Sequence, residues 1–553
     1  MSSPLSYLVF LISVSYSIAV KSQIANESTK SLINYNNEKT SVHINESGVL
    51  VINVSKNDLD KFKNNGYVFY SDFGATGNGK SDDIDAITAT HAFANQYNLT
   101  VKADEEASYY IGGKEQTAYI QTHTDFGTAA FIIDDIEVQN KNAPVFEIST
   151  GEIPFKLTGI TSLRKNQKKI NLSATTDCAI TVTDSLVKHY IRFGPNQDKG
   201  SSKTDIFKVD KNGNVDRNTP IIWDFNRITD ITVLPLDKKV LRITGGRFTT
   251  IANKAESRYT YYSRNITVKR SNVIIDGLNH VVTGEGDHGA PYGGFINITN
   301  SAYVTVRNCI LTGHKTYSTI GSAGVPVTMG TYDILVNRAL NVSFINCSQT
   351  NDINDKIYWG IMGSNYCKNL IFDSCRFSRF DAHKGVANAT ILNSELGHVG
   401  INAIGTGLFK IVNTRIYGRG LVNLRSDYGS TWQGKFIIQN CIFIPENGKF
   451  TNVALINGSY SGQHDFGYPC YMPYQIKIEN LKIDDSGNPA GYSGPAIFAD
   501  FNPLMKDDKY TEIFPYAKTK KVILKNVKTT SGKPIRISNN PIMFNDVKVV
   551  SIN

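Results

Sequence analysis

Four short segments of the chain concentrate side chains able to move a proton or hold an anion: Arg379-Phe-Asp-Ala-His-Lys384, Gly397-His-Val-Gly-Ile-Asn402, Asn423-Leu-Arg-Ser-Asp-Tyr-Gly-Ser-Thr-Trp432 and Ser461-Gly-Gln-His-Asp-Phe-Gly-Tyr468. Gly284-Glu-Gly-Asp-His288 and Gly313-His-Lys-Thr-Tyr317 extend the set, so that His288, His314, His383, His398 and His464 all fall in such stretches. These residue types suit removal of a proton beside a carboxylate, which needs a group to neutralise that carboxylate, a base and an acid of tuned pKa. Arg425 with Asn423 or Asn402 is expected to hold the carboxylate, His383 or Lys384 to take the proton, and Tyr428 to protonate the leaving oxygen, with His398 a further catalytic candidate. Trp432, His464 and His314 complete the expected substrate contacts. Hydrolysis would instead require two carboxyl groups flanking the bond, for which Asp381, Asp427, Glu395 and Asp465 are available. Serine-type catalysis lacks a Gly-x-Ser-x-Gly elbow.

These residues must be brought to one surface, and short strands can do that. Val327-Thr-Met-Gly330, Gly360-Ile-Met-Gly363, Ala382-His-Lys-Gly385, Asn402-Ala-Ile-Gly405, Val422-Asn-Leu-Arg425 and Ala454-Leu-Ile-Asn457 align so that the third position is nearly always apolar and points inward. The second and fourth positions then face out, which places His383, Asn423 and Arg425 on one outer face. His383 and Asn423 would lie roughly 10 Å apart, two strand spacings of about 4.8 Å. That alignment turns Lys384 inward, and a one-residue slip would exchange it with His383.

A second strand per repeat has the form apolar-x-apolar-x-Asn/Ser followed by Cys or an apolar or small residue. Examples are Val304-Thr-Val-Arg-Asn-Cys309, Val342-Ser-Phe-Ile-Asn-Cys347, Leu370-Ile-Phe-Asp-Ser-Cys375, Phe409-Lys-Ile-Val-Asn-Thr414, Ile476-Lys-Ile-Glu-Asn-Leu481 and Val522-Ile-Leu-Lys-Asn-Val527. Alternating strands that cannot bury their own faces must stack on neighbouring copies, as in a solenoid. The recurring Asn suits a turn, where it accepts left-handed geometry and can bond its neighbour up the stack. Seven cysteines with no Cys-x-x-Cys pair, four of them at or near the repeated position, imply stacked buried thiols rather than a disulfide framework or a zinc site.

Upstream, Asp72-Phe-Gly-Ala-Thr-Gly-Asn-Gly-Lys-Ser-Asp-Asp83 precedes an amphipathic helix spaced on Ile84, Ile87 and Ala92. This segment resembles the N-terminal cap of pectate-lyase-like parallel β-helix proteins, a group of polysaccharide lyases, glycoside hydrolases and phage tailspikes. The resemblance implies an all-β fold, a right-handed parallel β-helix with an N-terminal capping helix, and, for several lyases of the group, calcium as the carboxylate neutraliser. No compelling carboxylate cluster stands out for such an ion, so metal use stays open. The paired Asp-Asp and Gly-His-Gly signatures of polygalacturonase-like hydrolases are absent from the repeats; Asp82-Asp83 belongs to the cap and Gly397-His-Val-Gly400 matches only loosely.

The chain therefore divides into a signal peptide over 1–22, a polar arm over 23–66, a cap and early coils with room for inserted β-structure over 67–265, and repeats carrying the active face over 266–553. The apolar leader Leu5–Val20 is short for a membrane span, and no later stretch is long and apolar enough for one, so the expected product is secreted and free of the membrane. Lys and Arg exceed Asp and Glu by nine without a concentrated basic run, which fits an acidic glycan better than nucleic acid. The expected function is a secreted polysaccharide lyase that cleaves a uronate-containing glycan, with glycosaminoglycans such as chondroitin or hyaluronan ahead of alginate and pectin. A glycoside hydrolase on the same fold and a noncatalytic glycan-binding or adhesive β-helix are the alternatives.

Overall fold

The computed structural model describes residues 31–256, 259–287, 289–446, 450–460, 462–540 and 542–552. The leader, His288 and Ser461 lie outside the described residues.

The chain folds as a parallel β-helix. Between Tyr67 and Ile552 one long sheet system pairs each of its own strands with strands one coil away, in parallel. Long strands such as Arg376–Leu392 and Glu395–Val412 turn corners and contribute to all three faces of a coil. Interior positions repeat in register: Val306, Phe344, Phe372, Ile391, Ile411, Ile438, Ile478 and Leu524 form one unbroken buried column. Each such side chain removed from water contributes about 1.5–3 kcal/mol, and none could do so in an isolated coil.

The recurring Asn forms a ladder at one corner. Asn308, Asn346, Asn393, Asn413, Asn440, Asn480 and Asn526 all adopt left-handed backbone, with φ between 48° and 54°. Nδ2 of Asn413, Asn440, Asn480 and Asn526 each donates to Oδ1 of the residue below at 3.1, 3.2, 2.8 and 2.9 Å. Where Ser374 interrupts the series, Asp373 substitutes as acceptor for Asn393 at 2.9 Å. A shorter ladder of Asn341, Asn369 and Asn388 runs up a second corner. All seven cysteines are buried and unpaired.

The helix Ile84–Tyr97 contributes Ile84, Ile87, Phe93 and Ala94 to the main core. Asp83 ahead of it ties down the glycine-rich turn by accepting from the backbone of Thr76 and Gly77 at 2.7 and 3.2 Å. Within the segment expected as an arm, residues 31–65 build a three-stranded sheet and the helix Lys56–Asn65, whose Phe62 is buried in the main core.

Between strands Phe146–Ile148 and Leu241–Ile251 the chain leaves the solenoid to form a four-stranded antiparallel sheet from Phe155–Lys156, Cys178–His189, Ser201–Val209 and Asp230–Pro235. It has its own core of Leu163, Ile180, Phe207, Phe225 and Val233. Lys368 of the solenoid meets Asp205 of this insert at 2.7 Å with both side chains at most 2% exposed, and Ala179, Ile206 and Leu234 cover Ala302 and Leu340. An unpaired charge at so buried a place would be costly, so the pair fixes where the insert docks.

The expected rung at Val327–Gly330 is corrected by the structure. Pro326–Met329 pairs antiparallel with Tyr317–Ile320 in a hairpin standing off the coil, and Tyr332–Ile345 supplies the rung instead, with Ile334 in register with Met362. Short alternation alone does not distinguish the two.

The ladder makes a direct prediction. Asn413→Ala removes one donor and one acceptor at a left-handed position and should destabilise the protein by about 1–3 kcal/mol; Asn413→Gly, which keeps the backbone free, should lose less. Thermal midpoints at one scan rate check this, and an alanine variant at least as stable as the glycine one would contradict it.

Candidate functional site

The outward row on the second coil face is Asp381, Asn402, Asn423 and Asn457, paired in that order across successive coils. Asn423 Nδ2 donates to Asn402 Oδ1 at 2.6 Å. The row corrects the expected alignment by one residue, because Ala382 pairs with Ala403 rather than with Asn402.

The question of whether His383 or Lys384 faces outward is settled by a bulge. Register runs from Ala382–Ala403 directly to Val386–Gly405, so three residues on one strand oppose Ile404 alone on the other. The surplus kinks the strand away from Ile404 and turns the side chains of both His383 and Lys384 outward, while Lys384 keeps its pairing with Asn365 on the coil below, which corrects the inward placement of Lys384. Gly385, at φ +68°, permits this: a Cβ there would come within 2.9 Å of Tyr366 and 3.0 Å of the Tyr190 hydroxyl. Two coils further on the chain loops out again, over Arg425–Thr431, before Trp432 re-enters in register with Gly405.

These excursions bring His383, Arg425 and Tyr428 together. His383 Nδ1 donates to Asn365 Oδ1 at 3.0 Å, leaving Nε2 to face the Tyr428 hydroxyl at 3.4 Å. Burial, then the charges of Arg425 and Lys384, hold the His383 pKa well below its usual value, so the ring is neutral. Burial raises the Tyr428 pKa. Arg425 grips Asp427 at 2.7 Å and reaches Asp381 at 3.6 Å, and Arg379 holds Asp381 at 2.6 Å. Burial alone would raise the Asp427 pKa, but Arg425 and Arg192 overcome it and hold the carboxyl ionised.

The insert closes over this cluster. Arg192 binds Asp427 at 2.8 Å, the Phe193 amide donates to the Asp427 carbonyl, and Tyr190, Tyr366, Tyr428 and Ile404 form a small apolar seam. Tyr428 is 1% exposed. His464 stacks on Phe193 with ring centroids 3.7 Å apart.

The other flank of the Asp381–Asn457 row is open. Loops connecting the coils enclose a cleft of about 740 Å³, whose lining includes Lys356, Tyr358, Trp359, His398, Arg419 and Glu446, with Asn423 and Asn457 reaching it from the row. His398 therefore stands apart from the His383 cluster. Its Nε2 lies 3.1 Å from the Tyr358 carbonyl, which can only accept, so Nε2 carries the proton and Nδ1 keeps a free lone pair. Burial lowers the His398 pKa, so the ring is neutral. Lys356 and Arg419 both pair with Glu446 while remaining 56% and 73% exposed. Among the described residues lining the cleft, Glu446 is the only carboxylate. None of Lys356, Trp359, Arg419 and Glu446 was singled out from sequence; the adjacent Tyr358-Trp359 just before a rung was the signal present.

Two expected substrate contacts are corrected. Trp432 is fully buried in the core against Phe409 and Phe436, with Nε1 donating to the Gly407 carbonyl. His314 is 1% exposed and sits between Glu285 at 3.1 Å and Asp333 at 3.4 Å, with His280 also on Asp333. Asn402 is largely covered and bonds Asn423. Among the described residues no three His, Cys, Asp or Glu side chains converge as metal ligands, so no step is assigned to calcium. No helix among them is long and apolar enough to cross a membrane.

No protein-family model and no curated protein matches the chain. Among solved structures it is similar to the tailspike gp61 of Pseudomonas phage phi297, at 12% identity over 88% of this chain and 84% of that one, TM-score 0.49. It is also similar to the Gp54 tailspike of Acinetobacter baumannii bacteriophage AP22, solved in complex with A. baumannii capsular saccharide, at 9% identity over 92% and 81%, TM-score 0.48. PfbA, a surface adhesin of Streptococcus pneumoniae, shows 15% identity over 88% and 92%, TM-score 0.36. These are likenesses of form and give no residue of this chain a role.

The buried His314 cluster sets a pH dependence. Burial would lower the His314 pKa, but Asp333 and Glu285 raise it from 6.5 to about 9. A raised folded-state pKa stabilises fully below pH 6.5, and that contribution is lost as pH rises through about 9. Wild-type thermal stability should therefore fall more steeply over this window than that of His314→Gln; equal slopes would contradict the assignment.

Proposed function

We propose that the protein is an extracellular polysaccharide lyase that binds an acidic, uronate-containing glycan over Asn423 and Asn457 of the row and cleaves it by β-elimination in the open cleft. The observation that carries this reading is His398: a neutral ring with Nε2 held by a carbonyl and Nδ1 free, in a cleft that also presents Lys356 and Arg419. A uronate carboxylate can share these two cations with Glu446 and accept from the amides of Asn423 and Asn457, which makes the adjacent C5 proton more acidic. His398 Nδ1 takes that proton, the C4–O bond breaks as the C4–C5 double bond forms, and the departing oxygen receives a proton from the Tyr358 hydroxyl. Trp359 offers the apolar surface on which a sugar ring rests.

Hydrolysis is less well supported, because the cleft offers Glu446 without a second carboxylate among its described residues and engages Glu446 in two ion pairs. The His383–Tyr428 pair has suitable chemistry, but a sugar reaching Tyr428 would have to displace the insert.

Incubation with chondroitin, hyaluronan, alginate and pectin, followed by the ultraviolet absorbance of an unsaturated uronate, tests the reading. At least one glycan should give rising absorbance, and His398→Ala should slow it by about 10² or more while the protein stays folded. New reducing ends without absorbance would replace elimination by hydrolysis, and binding with neither signal would make the protein a glycan-binding module.

A further inference from the structure

The seam between the insert and the solenoid contains two cations that the cleft chemistry does not use. Lys384 Nζ is partly buried, 3.2 Å from Ser201 Oγ and 5.9 Å from the Tyr428 ring centroid. Arg338 lies over the Tyr366 ring at 5.1 Å, and its side-chain bond is to Asn337 Oδ1 at 3.3 Å. Among the described residues neither side chain forms an ion pair. The three carboxylates nearby do not meet their need: Asp427 is held by Arg425 and Arg192, Asp381 by Arg379 and Arg425, and Asp198 influences Lys384 only at longer range. Five cations, Arg192, Arg338, Arg379, Arg425 and Lys384, thus face three carboxylates.

The same place holds an orphaned donor. Tyr366 is 5% exposed, and its hydroxyl is buried without a hydrogen-bond partner of good geometry. Ser201, which carries the bond from Lys384, and Arg338 both bear on the ionisation of that hydroxyl, so the four side chains share one locality. Buried polar groups are nearly always satisfied, and an unsatisfied hydroxyl beside unpaired cations indicates a missing acceptor.

We infer that Lys384, Arg338, Ser201 and Tyr366 form an oxyanion site at the seam, built for inorganic sulfate or a small carboxylate. The insert thereby becomes part of ligand recognition, since Ser201 comes from it and the bulge at His383–Gly385 delivers Lys384. The insert that shuts a sugar out of Tyr428 also covers Tyr366, so the oxyanion is a small free anion rather than a substituent on a glycan in the cleft, and the site does not depend on the function proposed above.

The test titrates sodium sulfate against sodium chloride at matched ionic strength and follows the thermal midpoint of wild type, Lys384→Met and, as a cleft control, Lys356→Ala. Wild type and Lys356→Ala should show a saturable sulfate-specific rise, and Lys384→Met should weaken it about tenfold or more. Without sulfate, Lys384→Met should melt at or above wild type, because an unpaired charge has gone. A sulfate effect that is unsaturable, or unchanged in Lys384→Met, is general salting and would overturn the site. A lower midpoint for Lys384→Met with no sulfate dependence in any protein would make Lys384 a tether for the insert only.

Discussion

Every feature of this molecule follows from one constraint: successive coils must stack in register at a strand spacing of about 4.8 Å. The buried column from Val306 to Leu524 satisfies it on the inside, and the asparagine ladder satisfies it at the corner, where a left-handed residue and a side-chain amide repeat together. A residue that does not fit the repeat has only one way to go, which is out of the stack at a corner. The bulge at His383–Gly385 and the excursion Arg425–Thr431 are both such departures, two coils apart and at one corner.

Titratable side chains accumulate where the stacking rule is broken, because there the backbone is free to aim them. The Asp381–Asn457 row remains regular and forms a floor, with the insert and its cations along one edge and the inter-coil loops along the other. The two edges differ in access rather than in residue type: each has a neutral histidine and a tyrosine, but Tyr190 and Phe193 cover one pair while the other borders an open cleft. Arg425 and Arg379 join the covered edge to the floor through Asp381.

What repeats was legible in the sequence. The alternating strands, the left-handed asparagines and the stacked thiols each recur with the coil, so every copy reinforced the inference. What breaks the repeat was not: no local pattern shows that three residues at 383–385 oppose one, since register is decided by the partner strand. Trp432 read as a surface aromatic because the preceding polar loop concealed its return to the stack. His314 read as a groove residue because Asp333, its buried partner, lies beyond an intervening hairpin at the start of the Tyr332–Ile345 rung. Lys356, Arg419 and Glu446 come from connecting loops of unrelated length and meet only in three dimensions.

The central claim, that the open cleft over the Asp381–Asn457 row binds an acidic glycan, is tested most directly by a crystal structure of the His398→Ala protein with a uronate oligosaccharide bound. The account predicts a sugar ring against Trp359 and a uronate carboxylate within hydrogen-bond distance of Lys356 or Arg419. An oligosaccharide seated elsewhere, with the cleft empty, would contradict it.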